Sequence, residues 1–151
     1  MTQSLRLLLK TLGGLFLKKA PGDEIDSTEL VTRYIFDKKF FRRSNNSVRF
    51  GAFMPYKGET SVFRIASLAN KDIWNIGDKF VAKPRGRSIK SRADITVKAI
   101  QSVKDKELKV VSETSTHPLH ANIVGWPADE SAQQMLAVEL ANESTLYFPN
   151  I

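Results

Sequence analysis

Cysteine is absent from all 151 residues. That absence removes disulfides, thiolate nucleophiles and every Cys-ligated zinc or iron–sulfur site. It fits a reducing compartment, and a cytoplasmic protein is the expectation. Histidine is nearly absent too: His117 and His120 are the only two. Basic residues are missing from one whole segment. Val111 to Ile151 contains no lysine or arginine but holds Glu113, Asp129, Glu130, Glu139 and Glu143. Also absent are internal repeats, low-complexity tracts, a P-loop, a G-x-G-x-x-G turn, a G-x-S-x-G elbow and carboxylates paired at telling spacing. Nothing in the sequence calls for a cofactor.

What is present is ordinary for one globular domain: 42% hydrophobic and 26% charged residues in a length that supports a real core. The net charge is +7, but its distribution says more than its total. Residues 1–110 carry 23 basic against 11 acidic residues, while residues 111–151 carry only the five acids. Such separation gives a packed domain a strong directional field and makes an anionic partner the natural expectation.

The first nineteen residues, "MTQSLRLLLKTLGGLFLKK", place Leu5, Leu8, Leu9, Leu12 and Phe16 at helical spacing among Arg6, Lys10, Lys18 and Lys19. Lys10 interrupts the apolar centre that a secretory signal needs, and the stretch is too short and too charged to span a bilayer. A helix packed on the domain or on a protein partner through residues 1–20 is the favoured reading. A basic helix lying on a membrane surface is the alternative. "APGDEIDST" (Ala20 to Thr28) reads as a linker. The chain thus divides into residues 1–29, an amphipathic helix and linker, and residues 30–151, a single compact domain.

Within that domain the pattern is of short β-like runs with helical interruptions. "VTRYIF" is β-branched and aromatic. "SVRFGAFMP" alternates Val48, Phe50, Ala52 and Met54, and "PYKGE" then turns into "TSVFRIASL", so these runs are expected to form a hairpin. Asn70 is a suitable N-cap for a helix with Ile73, Ile76, Phe80 and Trp74 on its apolar face, ending before Pro84. "ADITVKAIQSV" and "ELKVVSETS" read as strands around a charged turn at Lys104 to Lys106. "ANIVGW" is a last strand before a helix from about Ala128 to Asn142, with Pro127 in its first turn and Ala132, Met135, Leu136 and Leu140 as its buried stripe. The expected class is α+β: a mostly antiparallel sheet, two packed helices and the extra N-terminal helix.

"THPLHANIVGWP" (Thr116 to Pro127) is the segment with most chemical interest. On a strand, residues three apart face opposite ways, and Pro118 holds His117 extended, so the two imidazoles converge only across a turn. With no cysteine and no third histidine, no metal site is expected. A catalytic arrangement has His120 as general acid or base, Asn122 on the same face orienting it, and His117 nearby. Backbone N–H groups at the start of the following helix would offer an anion site at that end of the sheet. In the competing structural reading, His120 and Asn122 hold the loop shut and Trp126 packs on Met135.

Two windows concentrate positive charge. "KKFFRRSNNSVR" holds Lys38, Lys39, Arg42, Arg43 and Arg49, and "KPRGRSIKSR" holds Lys83, Arg85, Arg87, Lys90 and Arg92, both without an acid. Arginines grip phosphates and aromatic faces stack on bases, so phenylalanines interleaved with the first window suit nucleic acid. The alternative is that the phenylalanines are core and the charges solvate a turn. Arg33 and Arg64 are lone arginines inside apolar strands. Each is either paired with a buried carboxylate, such as Asp94 or Asp78, or poised to clamp an anionic ligand facing His120.

The succession "RYIF…FFRRS…AFMP…SVFRI…IWNIG…SRAD…HPLHANIVGWP", from Arg33 to Pro127, resembles small bacterial proteins without an assigned function. The resemblance implies a bacterial or phage-related origin and a compact unit beginning near residue 30; it brings no activity and no catalytic residues. The leading expectation is therefore a small basic domain that binds a polyanion, nucleic acid first among them. The alternatives are a His120-dependent enzyme acting on a phosphate-bearing or nucleotide substrate, and an accessory subunit of a multi-protein assembly.

Overall fold

The structure, a computed structural model, describes residues 24–149. The expected N-terminal helix and the first four residues of the segment read as a linker lie outside the described residues. Eight strands and three α-helices follow in order: β1 (Leu30–Ile35), β2 (Phe41–Arg42), β3 (Ser47–Val48), β4 (Thr60–Arg64), α1 (Asn70–Ile76), β5 (Ser91–Thr96), α2 (Val97–Gln101), β6 (Lys109–Ser112), β7 (His120–Val124), α3 (Glu130–Glu143) and β8 (Thr145–Tyr147). Six strands form one sheet in the order β6-β7-β4-β1-β5-β8, every neighbouring pair antiparallel, and β2 and β3 form a separate small ribbon. The class is α+β with a mostly antiparallel sheet. No helix among the described residues is long and apolar enough to cross a membrane.

Helices cover both faces of this sheet, and that explains the character of its central strands. In β1, Val31 and Ile35 point to one side while Thr32 and Tyr34 point to the other, and all four are buried. On the first side Val31, Val62, Ala93, Ile95, Ala121 and Ile123 pack against Leu136, Ala137, Leu140 and Ala141 of α3, with Phe53 fully enclosed. On the second, Tyr34, Phe63 and Ile65 pack against Ile73, Ile76 and Ala82. A strand buried on both faces needs apolar residues in both registers, so "LVTRYI" shows no polar alternation.

α1 sits close on the sheet because Gly77 has no side chain. A Cβ there would overlap Ile89 Cδ1 and lie 2.5 Å from Tyr34 Cε1. The Tyr34 hydroxyl donates to the Ile73 carbonyl oxygen at 2.6 Å, tying strand to helix through the buried ring. Beyond Ile76 the chain widens into a π-helical turn, Gly77–Ala82, and then a 3-10 turn, Lys83–Arg85, which ends at Gly86 in the left-handed region at φ 62°. Gly86 is suited to that conformation because it lacks a Cβ.

Several local expectations are overturned. Residues 47–54 do not pair with β4: Val48 belongs to the β2–β3 ribbon, Phe50–Ala52 form a 3-10 turn, and β4 lies between β1 and β7. Residues 97–101 are helical, started by the Thr96 hydroxyl accepting from the Ala99 N–H at 3.1 Å; β5 pairs with β1 and β8, and β6 with β7. Ala69 occupies the N-cap of α1, and Phe80 is partly solvent-exposed. In α3 the cap is Asp129, with Pro127 outside the helix. The buried stripe is Leu136, Ala137, Leu140 and Ala141, while Met135 is exposed. Ile25 packs on the core, and Ser27 and Glu29 accept hydrogen bonds from Lys98 and Val97, so the chain before β1 is tied to the domain.

Candidate functional site

The second basic window packs on Phe36, the residue that follows β1 and stands two before the first window. The Arg85 and Arg87 guanidinium carbons lie 5.5 and 5.7 Å from the centre of its ring. The Lys90 N–H donates to the Ile35 carbonyl oxygen at 2.8 Å, fastening the second window to the end of β1 just before Lys38 and Lys39. The first window bends around β2 and β3, where Arg43 stacks 3.9 Å from the Phe148 ring and Asn46 donates to the Leu146 carbonyl. Both windows therefore occupy the end of the sheet where β1 and β8 finish and β5 begins. Lys38, Lys39, Arg42, Arg43, Arg49, Lys83, Arg85, Arg87 and Lys90 are all exposed. Lys39 makes a loose, solvent-screened contact with Asp37 at 3.8 Å and lies 5.1 Å from the centre of the Phe40 ring. Of the interleaved aromatics, Phe41 is buried, Phe36 and Phe40 are half-buried, and Phe50 is exposed.

Three arginines expected at a ligand are engaged elsewhere. Arg92 is buried, grips Asp94 through Nε and Nη2 at 3.1 and 3.3 Å, and donates to Asn70 Oδ1 at 2.9 Å. Its guanidinium lies between the Trp74 and Tyr147 rings at 4.8 and 4.9 Å. Arg64 holds Glu29 in a two-pronged pair, Nε to Oε1 at 2.9 Å and Nη2 to Oε2 at 2.7 Å, rather than Asp94 or Asp78. Arg33 donates to the Ala52 and Ser61 carbonyl oxygens, each at 2.9 Å, while burial and nearby Arg85 lower its proton affinity. Arg64 Nη1 also lies 3.4 Å from Ser112 Oγ.

The two histidines occupy different surroundings. His117 is 2% exposed and lies edge-on to the Phe63 and Phe80 rings at 5.4 and 4.6 Å. Its Nδ1 accepts from the Leu119 N–H at 3.0 Å, which puts the proton on Nε2, and Nε2 has no hydrogen-bond partner among the described residues. Burial, with His120 adding a smaller repulsion, drives its pKa down to about 4. His120 opens β7. Its Nδ1 lies 2.8 Å from the Glu113 carbonyl oxygen and 3.3 Å from Glu113 Oε2. Both neighbours only accept, so Nδ1 carries the proton and the Nε2 lone pair is left toward Ser61 Oγ, 2.7 Å away. Ser115 holds the other oxygen of the Glu113 carboxylate through its hydroxyl and N–H, at 2.6 and 3.3 Å, and lowers the Glu113 pKa.

Asn122 shares a sheet face with His120, as the two-residue spacing predicts, but it does not orient the imidazole. Its amide donates to Glu59 Oε2 at 3.1 Å, and the orienting groups are those of Glu113. The start of α3 is also taken: the Asp129 carboxylate accepts from the Ala132 N–H at 2.9 Å, leaving that helix end neutralised by its own cap. Trp126 donates to the Ile123 carbonyl at 3.1 Å and packs on the core. Among the described residues no group of three or more His, Asp or Glu side chains could hold a metal ion. Ser61 and Glu113 were not singled out by sequence reasoning. The one signal available was a small hydroxyl side chain, Ser61, beside the apolar pair Val62 and Phe63. No protein family model, curated protein or solved structure matches the chain.

Proposed function

We propose that the protein binds a polyanion, nucleic acid, through the exposed cations of the two windows: Lys38, Lys39, Arg42, Arg43, Arg49, Lys83, Arg85, Arg87 and Lys90. The observation that carries this reading is the packing of the second window on Phe36, where Arg85 and Arg87 lie against a ring two residues before the first window begins. Separate basic loops only solvate their own turns; loops that meet build one field, and clustered cations bind a chain of phosphates by releasing its counterions. Arg92, Arg33 and Arg64 are excluded because carboxylates or carbonyls already hold them. The acidic residues that follow Val111 give the domain a polarity that would orient it on a charged rod. A cytoplasmic setting, where nucleic acid is abundant, goes with this reading and with the lack of cysteine.

Binding to labelled single- and double-stranded DNA and RNA across a salt series tests it. A log–log slope of several units is expected, with each phosphate-contacting cation removed lowering it by about 1. R85E/R87E and K38E/K39E are expected to weaken binding to a similar extent, because both pairs belong to one patch. Absence of binding at low salt would overturn the proposal. The phosphate-directed enzyme reading draws less support, because Arg33 donates to the Ala52 and Ser61 carbonyls and Arg64 pairs with Glu29.

A further inference from the structure

We infer that Ser61, His120 and Glu113 form a nucleophilic site that hydrolyses carboxylic esters, with Asn122 as the side-chain donor to the developing oxyanion. The inference is independent of polyanion binding, since these four residues are not part of the basic patch. Its geometric basis is a continuous relay. Ser61 Oγ meets His120 Nε2 at 2.7 Å, and His120 Nδ1 meets the Glu113 carbonyl and carboxylate at 2.8 and 3.3 Å. A nucleophile, a base within hydrogen-bond reach and a third group that fixes the base's tautomer are what the chemistry needs.

The neighbours fit the same chemistry. Asn122 stands directly opposite Ser61 in the β4–β7 register, and Val111 stands opposite Asn122 in the β6–β7 register. Ser61, Asn122 and Val111 thus form a row across three strands on one face, with side chains about 5 Å apart. The Asn122 amide gives one hydrogen to Glu59 Oε2 and has a second to offer. Val111 is exposed and supplies an apolar seat for an acyl chain. The Phe63 ring lies edge-on to His120 at 5.4 Å and supports the imidazole from below.

In the reaction, Ser61 Oγ attacks the ester carbonyl carbon as its proton passes to His120 Nε2. The alkoxide then leaves with that proton, and an acyl-serine remains. Water attacks the acyl carbon, giving a proton to His120; the carbon–Oγ bond breaks, the acid departs and Ser61 Oγ recovers the proton. Ester and water become acid and alcohol, with no other reactant. Glu113 is a positioning residue: it holds the imidazole in the tautomer that presents a lone pair to Ser61.

The test is covalent labelling of the intact protein by a fluorophosphonate. Here an Oγ–phosphorus bond forms, fluoride leaves and the serine proton goes to His120. The expected result is one adduct, mapped by mass spectrometry to Ser61, and none in S61A. The labelling rate is expected to fall about 100-fold or more in H120Q. E113Q is expected to shift the pH profile of labelling, with E113D restoring part of it. N122A is expected to lower turnover of p-nitrophenyl acetate about 100-fold, as loss of one oxyanion donor does. Thermal midpoints of all variants are read alongside, and S61A removes only a hydroxyl, so loss of label in a folded S61A cannot be assigned to unfolding. An unlabelled wild-type protein, label that persists in S61A, or a rate unchanged in folded H120Q would each overturn the site.

Discussion

Acidification below pH 6.5 should weaken the domain through His117. The unfolded chain takes up a proton on this residue near the ordinary value of 6.5, and the folded protein only near 4. Between these values the unfolded state binds more protons, so stability is full above pH 6.5 and declines as pH falls toward 4. With a side chain only 2% exposed, solvent screening gives little relief. Integrated from pH 7 to pH 5 the loss is about 2 kcal/mol, a large part of a stability that in domains of this size is about 5–15 kcal/mol. Urea unfolding at the two pH values, followed by tryptophan fluorescence, measures it. The paired variant is His117→Asn, whose side-chain oxygen can still accept from the Leu119 N–H but cannot take up a proton. H117N should be less stable at pH 7, because it fills less of the space beside Phe63 and Phe80, and should lose about 2 kcal/mol less than wild type between pH 7 and pH 5. Equal losses in the two proteins would refute the reasoning, since the titrating group would then lie elsewhere.

Two further outcomes follow from the packing. Gly125 adopts φ 91°, and a Cβ there would overlap the Glu107 carbonyl oxygen, a backbone atom with no rotamer to yield. G125A is therefore expected to cost about 2–3 kcal/mol or more in urea denaturation, whereas G58A, at φ 80° with open space around it, should cost clearly less. Replacing Arg92 by Met strands the buried Asp94 carboxylate, and about 3–5 kcal/mol should be lost; R92M/D94L, which removes both charges, should recover much of it.

Where the sequence and the structure part company, the cause is pairing over long distance. The runs at 60–64, 91–96 and 120–124 announce themselves as strands by their β-branched and aromatic content, and the class follows from their short spacing. Their partners do not. The runs at 47–55 and 60–68 read as a hairpin because adjacent strands usually pair, yet β1 lies between β4 and β5, and the span from Phe36 to Glu59 is spent on the β2–β3 ribbon and its turns. The alternation of Val48, Phe50, Ala52 and Met54 suggests a strand, but Phe53 is the fully buried residue there and Phe50 is exposed at 40%. The α2 turn was legible in principle: Thr96 is a good cap, and Val97 and Ile100, three apart, are both buried.

The candidate sites divide along the same line. Charge is a property of composition, so the windows can be counted from the letters, and even the exception had a local signature: Arg92 and Asp94, two apart on a strand, share a face and can pair before any fold is known. The Ser61–His120 contact is a property of register. Fifty-nine residues separate the two, and only the pairing of Phe63 with His120 and of Ser61 with Asn122 puts both side chains on one face. A slip of one residue between β4 and β7 would turn Ser61 toward α3 and present Val62 to His120. The same slip would bury the wrong face of β4 against Leu136 and Leu140, so the hydrophobic core that α3 completes is what holds the serine beneath the imidazole.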